Sequence, residues 1–215
     1  NIAKEKNIKN IYSGIDLKLF TNKRNYEFRK ELNLDVDKLL IGSVGRLSHQ
    51  KDPITMINAF DIVSKKFPDA HLVLVGDGGL KEKIIEKIDQ LKLNNRIHLT
   101  GNKNNPWDVY HSLDLFIMSS IYEGLGRSIT EALSCGVPVV CTAVEGVPEI
   151  IKDDITGILV PPKDSNKLAD GIIRSLKDME SAKIKAEEGR RFVQDNFDVN
   201  KMVEDIDALY HSFIK

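Results

Sequence analysis

The stretch Glu123-Gly124-Leu125-Gly126-Arg127-Ser128-Ile129-Thr130-Glu131 carries the densest chemistry in this 215-residue chain. Two glycines beside a carboxylate let the backbone approach a bound molecule closely. The helix predicted to follow offers unpaired N–H groups and a positive dipole end, a ready anion site. Glu123 beside an anion would be repelled, so its natural partner is another part of the same ligand. A sugar diol, donating two hydrogen bonds to one carboxylate, suits it. Glu131 falls inside the helix and has a separate setting. Taken alone, the two glutamates read equally as a helix cap and a surface carboxylate. Arg46 and Lys51 supply the context, since both fall on one loop at the same predicted sheet edge. Two fixed cations and a helix start are what a diphosphate needs in place of a metal ion. Either cation by itself reads as a solvated surface charge.

A parallel sheet is the framework that brings these loops together. Short apolar runs over residues 39–44, 70–75, 96–99, 113–118, 138–141 and 157–160 alternate with helical patterns over 53–66, 80–91, 106–112, 126–134, 148–151 and 165–177. That rhythm predicts βαβ units, a sheet of about six strands and helices on both faces. The runs lack clean alternation (Leu72, Val73, Leu74 and Val75 are all apolar), as strands buried on both sides do. In such a sheet ligands bind outside the carboxyl ends of the strands. Glycines and polar groups gather there, at Gly45–Lys51, Gly76–Gly79, Ser119–Gly126 and Thr142–Glu149. Three segments are expected. Residues 1–38 form a solvated lead-in, with eight Lys/Arg against three Asp/Glu up to Lys30. Residues 39–198 form the sheet domain. Residues 199–215 form a helix whose Val199, Val203, Ile206, Tyr210 and Phe213 share one face. That face serves either as a packing seam or as a dock for a further domain.

Composition removes several classes. Lys plus Arg total 31 and Asp plus Glu 32, for a net charge of −1. No overall field draws the chain to nucleic acid or a membrane. The longest apolar runs, 113–118 and 137–144, are too short to cross a bilayer. Two cysteines, Cys135 and Cys141, make no disulfide framework and no metal pattern, and suit a reducing, cytoplasmic setting. No Gly-Lys pair exists, so there is no P-loop, and Lys81 breaks the dinucleotide fingerprint that Gly76-Asp77-Gly78 begins. Asp35/Asp37 lie at the wrong sheet edge and Asp205/Asp207 on different helix faces, so no metal site is expected. The five histidines are scattered, and His49 reads as a loop residue. The chain opens on Asn1 rather than Met, which points to a piece of a longer protein.

Together, Gly45-Arg46-Leu47 with Gln50-Lys51, Val75-Gly76-Asp77-Gly78, Glu123-x7-Glu131 with Gly124 and Gly126, and Gly136-Val137-Pro138 resemble the nucleotide-binding half of retaining glycosyltransferases of family 4. Ser13-Gly14-Ile15-Asp16, Val147-Pro148-Glu149, Gly157 and Pro162–Asp164 extend the resemblance from about Tyr12 to the end. It implies one Rossmann-like half of a GT-B fold and a carboxy-terminal donor domain. Arg46 and Lys51 would hold the diphosphate of a nucleoside-diphosphate sugar, helped by backbone N–H groups at Gly124, Leu125 and Gly126. Glu123 would contact the donor sugar and, with Arg46 and Lys51, serve transfer. Glu131 would accept from the ribose, while Gly76 and the loop near Ile97 would flank the base. The donor would be of the UDP or GDP type, with no cofactor and no metal. The acceptor would bind a separate amino-terminal domain, in glycan or polysaccharide biosynthesis, in the cytoplasm or at the inner face of a membrane to which that domain attaches peripherally. The family usually has Asn at 13, glycine at 52 and 145, and a small or apolar residue at 127, where this chain has Ser13, Asp52, Glu145 and Arg127. Two alternatives share the architecture: a sugar epimerase or phosphorylase, and a non-catalytic nucleotide-sugar-binding module.

Overall fold

Each of the six apolar runs forms a strand in the computed structural model, which describes residues 8–213. The strands are β1 (Leu39–Val44), β2 (Ala70–Val75), β3 (Ile97–Gly101), β4 (Leu115–Met118), β5 (Val139–Thr142) and β6 (Ile158–Val160). The helices are α1 (Glu27–Glu31), α2 (Pro53–Lys66), α3 (Lys81–Leu91), α4 (Pro106–Ser112), α5 (Arg127–Ser134), α6 (Val147–Ile150), α7 (Ser165–Lys177), α8 (Met179–Asn196) and α9 (Val199–Phe213). All strand pairs are parallel, in the order β3-β2-β1-β4-β5-β6. The chain winds outward from β1 to β3, then returns to lay β4 against the other side of β1. The winding direction therefore reverses between β1 and β4, and the loops leaving their carboxyl ends part to open a crevice.

Side chains from alternate strand positions feed two cores. Leu72 and Leu74 join the cluster under α2, α3 and α7, with Phe60, Ile84 and Ile172. Val73 and Val75 join the cluster under α1, α4, α5, α6 and α8, with Phe28, Tyr110, Ile129, Val147 and Val193. Among the described residues no helix is long and apolar enough to cross a membrane.

Two expectations for the flanking segments are corrected. The lead-in is not simply solvated: Ile15, Phe20 and Phe28 belong to the second core. Its first seven residues lie outside the described ones. Ile15 donates to the Phe197 carbonyl (2.8 Å) and accepts from the Val199 N–H (3.0 Å), stitching the segment to the junction of α8 and α9. These apolar residues lack a helical or strand period, so they gave no core signal. The stripe on α9 is not a packing seam within this chain. None of its described residues is buried, and Phe213 is 77% exposed.

A histidine pair across β2 and β3 gives the fold a pH dependence. His71 Nδ1 and His98 Nε2 lie 3.0 Å apart with the rings stacked. Burial, then the neighbouring His98, pulls His71 down to about 4, and burial lowers His98 too. The unfolded chain keeps ordinary histidines, so below about pH 6.5 it takes up protons that the folded pair refuses. The pair's contribution is complete above that pH and is lost as pH falls toward 4. We expect the urea midpoint to fall between pH 7 and pH 4.5, and the fall to be shallower in His71→Gln. An equal slope in both proteins would contradict this origin.

Candidate functional site

Gly45 to Asp52 leave β1, and Ser119 to Gly126 leave β4, on the two sides of the crevice. Polar residues at the ends of otherwise apolar strands lock the loops together. The buried Ser119 hydroxyl lies 2.7 Å from the Lys51 carbonyl and 2.8 Å from that of Asp52. Ile121 N–H donates to the Gln50 carbonyl (2.8 Å), and the Gln50 amide to the Tyr122 carbonyl (3.2 Å). Thr142 at the end of β5 donates to the Ser120 carbonyl (2.6 Å). Buried hydroxyls need such partners. Ser119, Ser120 and Thr142 were visible only as polar loop residues, and their anchoring role needs the strand order to be seen.

Lys51 ends a 3-10 turn, His49–Lys51, and its ammonium makes an ion pair with Glu123 across the crevice. The two side chains are 23% and 13% exposed, so the pair is partly withdrawn from water. Ser120 adds a hydroxyl to the same carboxylate oxygen (3.2 Å). Arg46 is exposed, and among the described residues it makes no ion pair. It lines, with Lys51 and Met118, a small cavity of about 20 Å³ at the foot of the crevice. It also lines an open cleft of about 430 Å³ with Gly45, Gly76, Asp77, Asn102, Lys103 and Pro106. The two cations expected from sequence therefore line one cavity, and Glu123 pairs with one of them, Lys51.

The start of α5 completes this edge. Its N-cap, Gly126, sits at φ +77°, a conformation that costs glycine little, and no side chain caps the helix. The first-turn N–H groups and the positive dipole end face outward beside Glu123, whose Cγ lies 3.4 Å from where a Gly126 Cβ would be. Glu131 lies one turn further on. Its carboxylate accepts from the buried Tyr110 hydroxyl at 2.7 Å and stands 3.8 Å from Arg127. Burial pushes its pKa up against the opposing pull of Tyr110 and Arg127. Among the described residues no hydrogen bond or ion pair joins Glu131 to Arg46, Lys51 or Glu123.

Gly76 is at the edge where sequence put it, lining the open cleft, with its N–H on the Gly101 carbonyl (2.8 Å). Ile97 is not, and its expected place beside a base is corrected. It opens β3 at the opposite end of the strand, and its side chain is buried under α3. The residues that β3 delivers to the cleft are Asn102, Lys103 and Pro106. Placing the run at 96–99 ended the strand two residues early. Backbone conformation explains two departures from the resemblance, since Asp52 (φ +44°) and Glu145 (φ +39°) occupy the left-handed region that favours glycine. Asp52 offsets part of that cost by capping α2, accepting from Thr55 N–H at 3.3 Å. Among the described residues no three His, Cys, Asp or Glu gather as a metal ion would need. Burial pushes the thiols of Cys135 and Cys141 up, so neither is a ready nucleophile.

Known proteins share this sequence pattern and fold. A family profile described as Glycosyl transferases group 1 matches residues 25–192. N-acetyl-alpha-D-glucosaminyl L-malate synthase of Bacillus anthracis is 27% identical over 214 residues, covering 100% of this chain and 56% of its own length. The crystal structure of Anabaena Alr3699/HepE in complex with UDP-glucose superposes with a TM-score of 0.88 at 26% identity, covering 98% of this chain and 59% of that one. The C-terminal domain of the Francisella tularensis glycosyl transferase group 1 protein LpcC superposes at 0.78 and 28% identity, over 86% of this chain and 100% of that domain. The chain thus spans a little over half the length of the first two.

Proposed function

This chain belongs to the Glycosyl transferases group 1 family, and we propose that it is the donor-binding domain of a retaining glycosyltransferase. The intact enzyme passes a sugar from a UDP- or GDP-sugar to an acceptor hydroxyl, keeping the configuration at C1. The observation that carries this reading is the convergence of Arg46, the Lys51–Glu123 pair and the uncapped start of α5 on the β1/β4 crevice.

In the transfer the bond from C1 to the diphosphate oxygen breaks and its electron pair leaves with the diphosphate. The acceptor oxygen bonds to C1 and its proton passes to the departing diphosphate. The charge that develops is on the leaving group, so the protein's largest contribution is electrostatic stabilisation there. Arg46 and Lys51 neutralise the phosphate oxygens, and the first-turn N–H groups of α5 hydrogen-bond to them. Engaging Lys51 with phosphate frees Glu123 to accept from sugar hydroxyls. Glu131 takes the ribose hydroxyls, and the cleft bounded by Gly76 and Asn102 takes the base. These groups do the neutralising without a divalent metal.

The acceptor belongs to a second domain of the longer protein, in keeping with the share of its relatives that this chain spans. The exposed apolar face of α9 is where that domain docks. A cytoplasmic enzyme of glycan or polysaccharide synthesis, peripherally attached at the inner membrane face through the other domain, fits this reading. Calorimetric titration of the chain with UDP and with GDP, in EDTA, tests it. One of the two should give a saturable heat of binding that survives the chelator. A folded chain that binds neither, or binds only with added magnesium, would overturn it.

A further inference from the structure

Glu145 holds an uncommon position for a glutamate. Its φ of +39° lies in the left-handed region, where an L side chain is strained. Residues kept in that region cluster where a site needs them. Its carboxylate Oε2 accepts from the backbone N–H of Glu123 at 2.8 Å. Gly146 next to it packs so tightly on the β4 loop that a Cβ there would stand 1.8 Å from the Gly124 carbonyl oxygen. The loop after β5 is thus clamped onto the Glu123 loop, and a second carboxylate is delivered to that end of the crevice.

The two carboxylates are not electrically equivalent. Without ligand Glu123 is offset by Lys51. Glu145 is exposed, and among the described residues no cation pairs with it. The loop after β1 therefore presents the cation Arg46, and the loop after β5, held on the Glu123 backbone, presents a negative charge with no ion pair among the described residues.

We propose that Glu145 is a donor-selectivity residue: its carboxylate, seated on the Glu123 backbone, admits neutral hydroxyl-bearing sugars and rejects sugars that carry a carboxylate of their own. This rests on the donor-binding reading above. A hydroxymethyl or ring hydroxyl can donate to the free oxygen of Glu145. A uronate in its place offers no proton and meets a like charge, and discrimination built on repulsion is a common device of specific sites.

Two pairs of donors isolate the effect, because the members of each differ only in oxidation at C6: UDP-glucose with UDP-glucuronate, and GDP-mannose with GDP-mannuronate. Calorimetric titration of the chain should show the neutral member of the accepted pair binding about tenfold or more tightly than its acid, as like charges at Glu145 and the freed Glu123 together dictate. Glu145→Gln keeps an oxygen for the Glu123 N–H and removes the charge, so the ratio should fall by about threefold or more, the remainder being set by Glu123. Glu145→Gly removes both. A merely structural role would weaken acid, neutral sugar and bare nucleotide together in the glycine variant, and the glutamine variant would restore all three with the ratio untouched. Equal binding of both members by the unaltered protein, or an unchanged ratio in Glu145→Gln, overturns the proposal. Failure of bare UDP and bare GDP to bind is a separate result that removes the donor site itself.

Discussion

On the proposed reading Arg46→Ala should weaken binding of the nucleoside diphosphate by roughly 10- to 150-fold, the largest loss expected from any single surface change. A hydrogen bond to a charged group contributes about 1.5–3 kcal/mol, and each 1.4 kcal/mol is a factor of ten in affinity. Arg46 is exposed and has no ion pair within the described chain, so folding does not depend on it. The variant should melt with the unaltered protein, which separates lost affinity from lost structure. Arg46→Lys restores only part, because an ammonium lacks the planar fork that meets two phosphate oxygens at once. Lys51→Ala behaves differently. It removes a phosphate contact and also leaves the Glu123 carboxylate, 13% exposed, without its cation. It should therefore lower both affinity and melting temperature. Titrations of the three variants beside thermal melts read these differences, and undiminished affinity in Arg46→Ala would contradict the assignment of Arg46 to phosphate.

Arg29→Ala destabilises the fold by about 3–5 kcal/mol, the cost of breaking a buried ion pair from one side. The Arg29 residue is 0% exposed. Its guanidinium donates to the carbonyls of Ser112 (2.9 Å) and Lys38 (2.6 Å) and to the Asp114 carboxylate (2.6 Å). The same Asp114 oxygen accepts from Leu40 N–H at 2.7 Å, and Arg24 pairs with the other oxygen. This hub fixes α1, the start of β1 and the approach to β4. Those are the two strands whose far ends carry the candidate site. Asp114→Ala should cost as much or more, since it strands Arg29 in the interior with a charge and no counter-ion. Pairing Arg29→Met with Asp114→Leu should recover much of the loss. Urea unfolding of the four proteins measures these losses and the recovery, and single variants within about 1 kcal/mol of the unaltered protein would show that the hub is not what holds these elements.

Local signals explain which parts of this structure were visible beforehand. β1, β2, α2, α4 and α7 follow the apolar periodicity of the sequence to the residue, because burial on one or two faces dictates that periodicity. α1 was invisible since it has five residues, with Phe28 and Arg29 buried and Arg29 held by Ser112 and Asp114, more than 80 residues away in sequence. The β4 run begins at Leu115 rather than 113, because Leu113 N–H still bonds back to Tyr110 of α4. At the site, Arg46, Lys51, Glu123 and Gly126 stood out by residue type and by their place after apolar runs. The contact of Lys51 with Glu123, 72 positions apart, depends on β4 lying against β1, which no local pattern encodes. Ile97 was misplaced for a related reason. The strand end shifts where β2 and β3 slip register between Leu74 and Val75, and only the paired strands show that.

A crystal structure of the chain with UDP-glucose or GDP-mannose, grown in EDTA, tests the central claim most directly. Both phosphates should lie between the Arg46 guanidinium, the Lys51 ammonium and the N–H groups at Gly126–Ser128, with the Lys51–Glu123 pair opened and the sugar ring against Glu123. Phosphates seated elsewhere, or a nucleotide that leaves the Lys51–Glu123 pair closed and Arg46 in solvent, would contradict it.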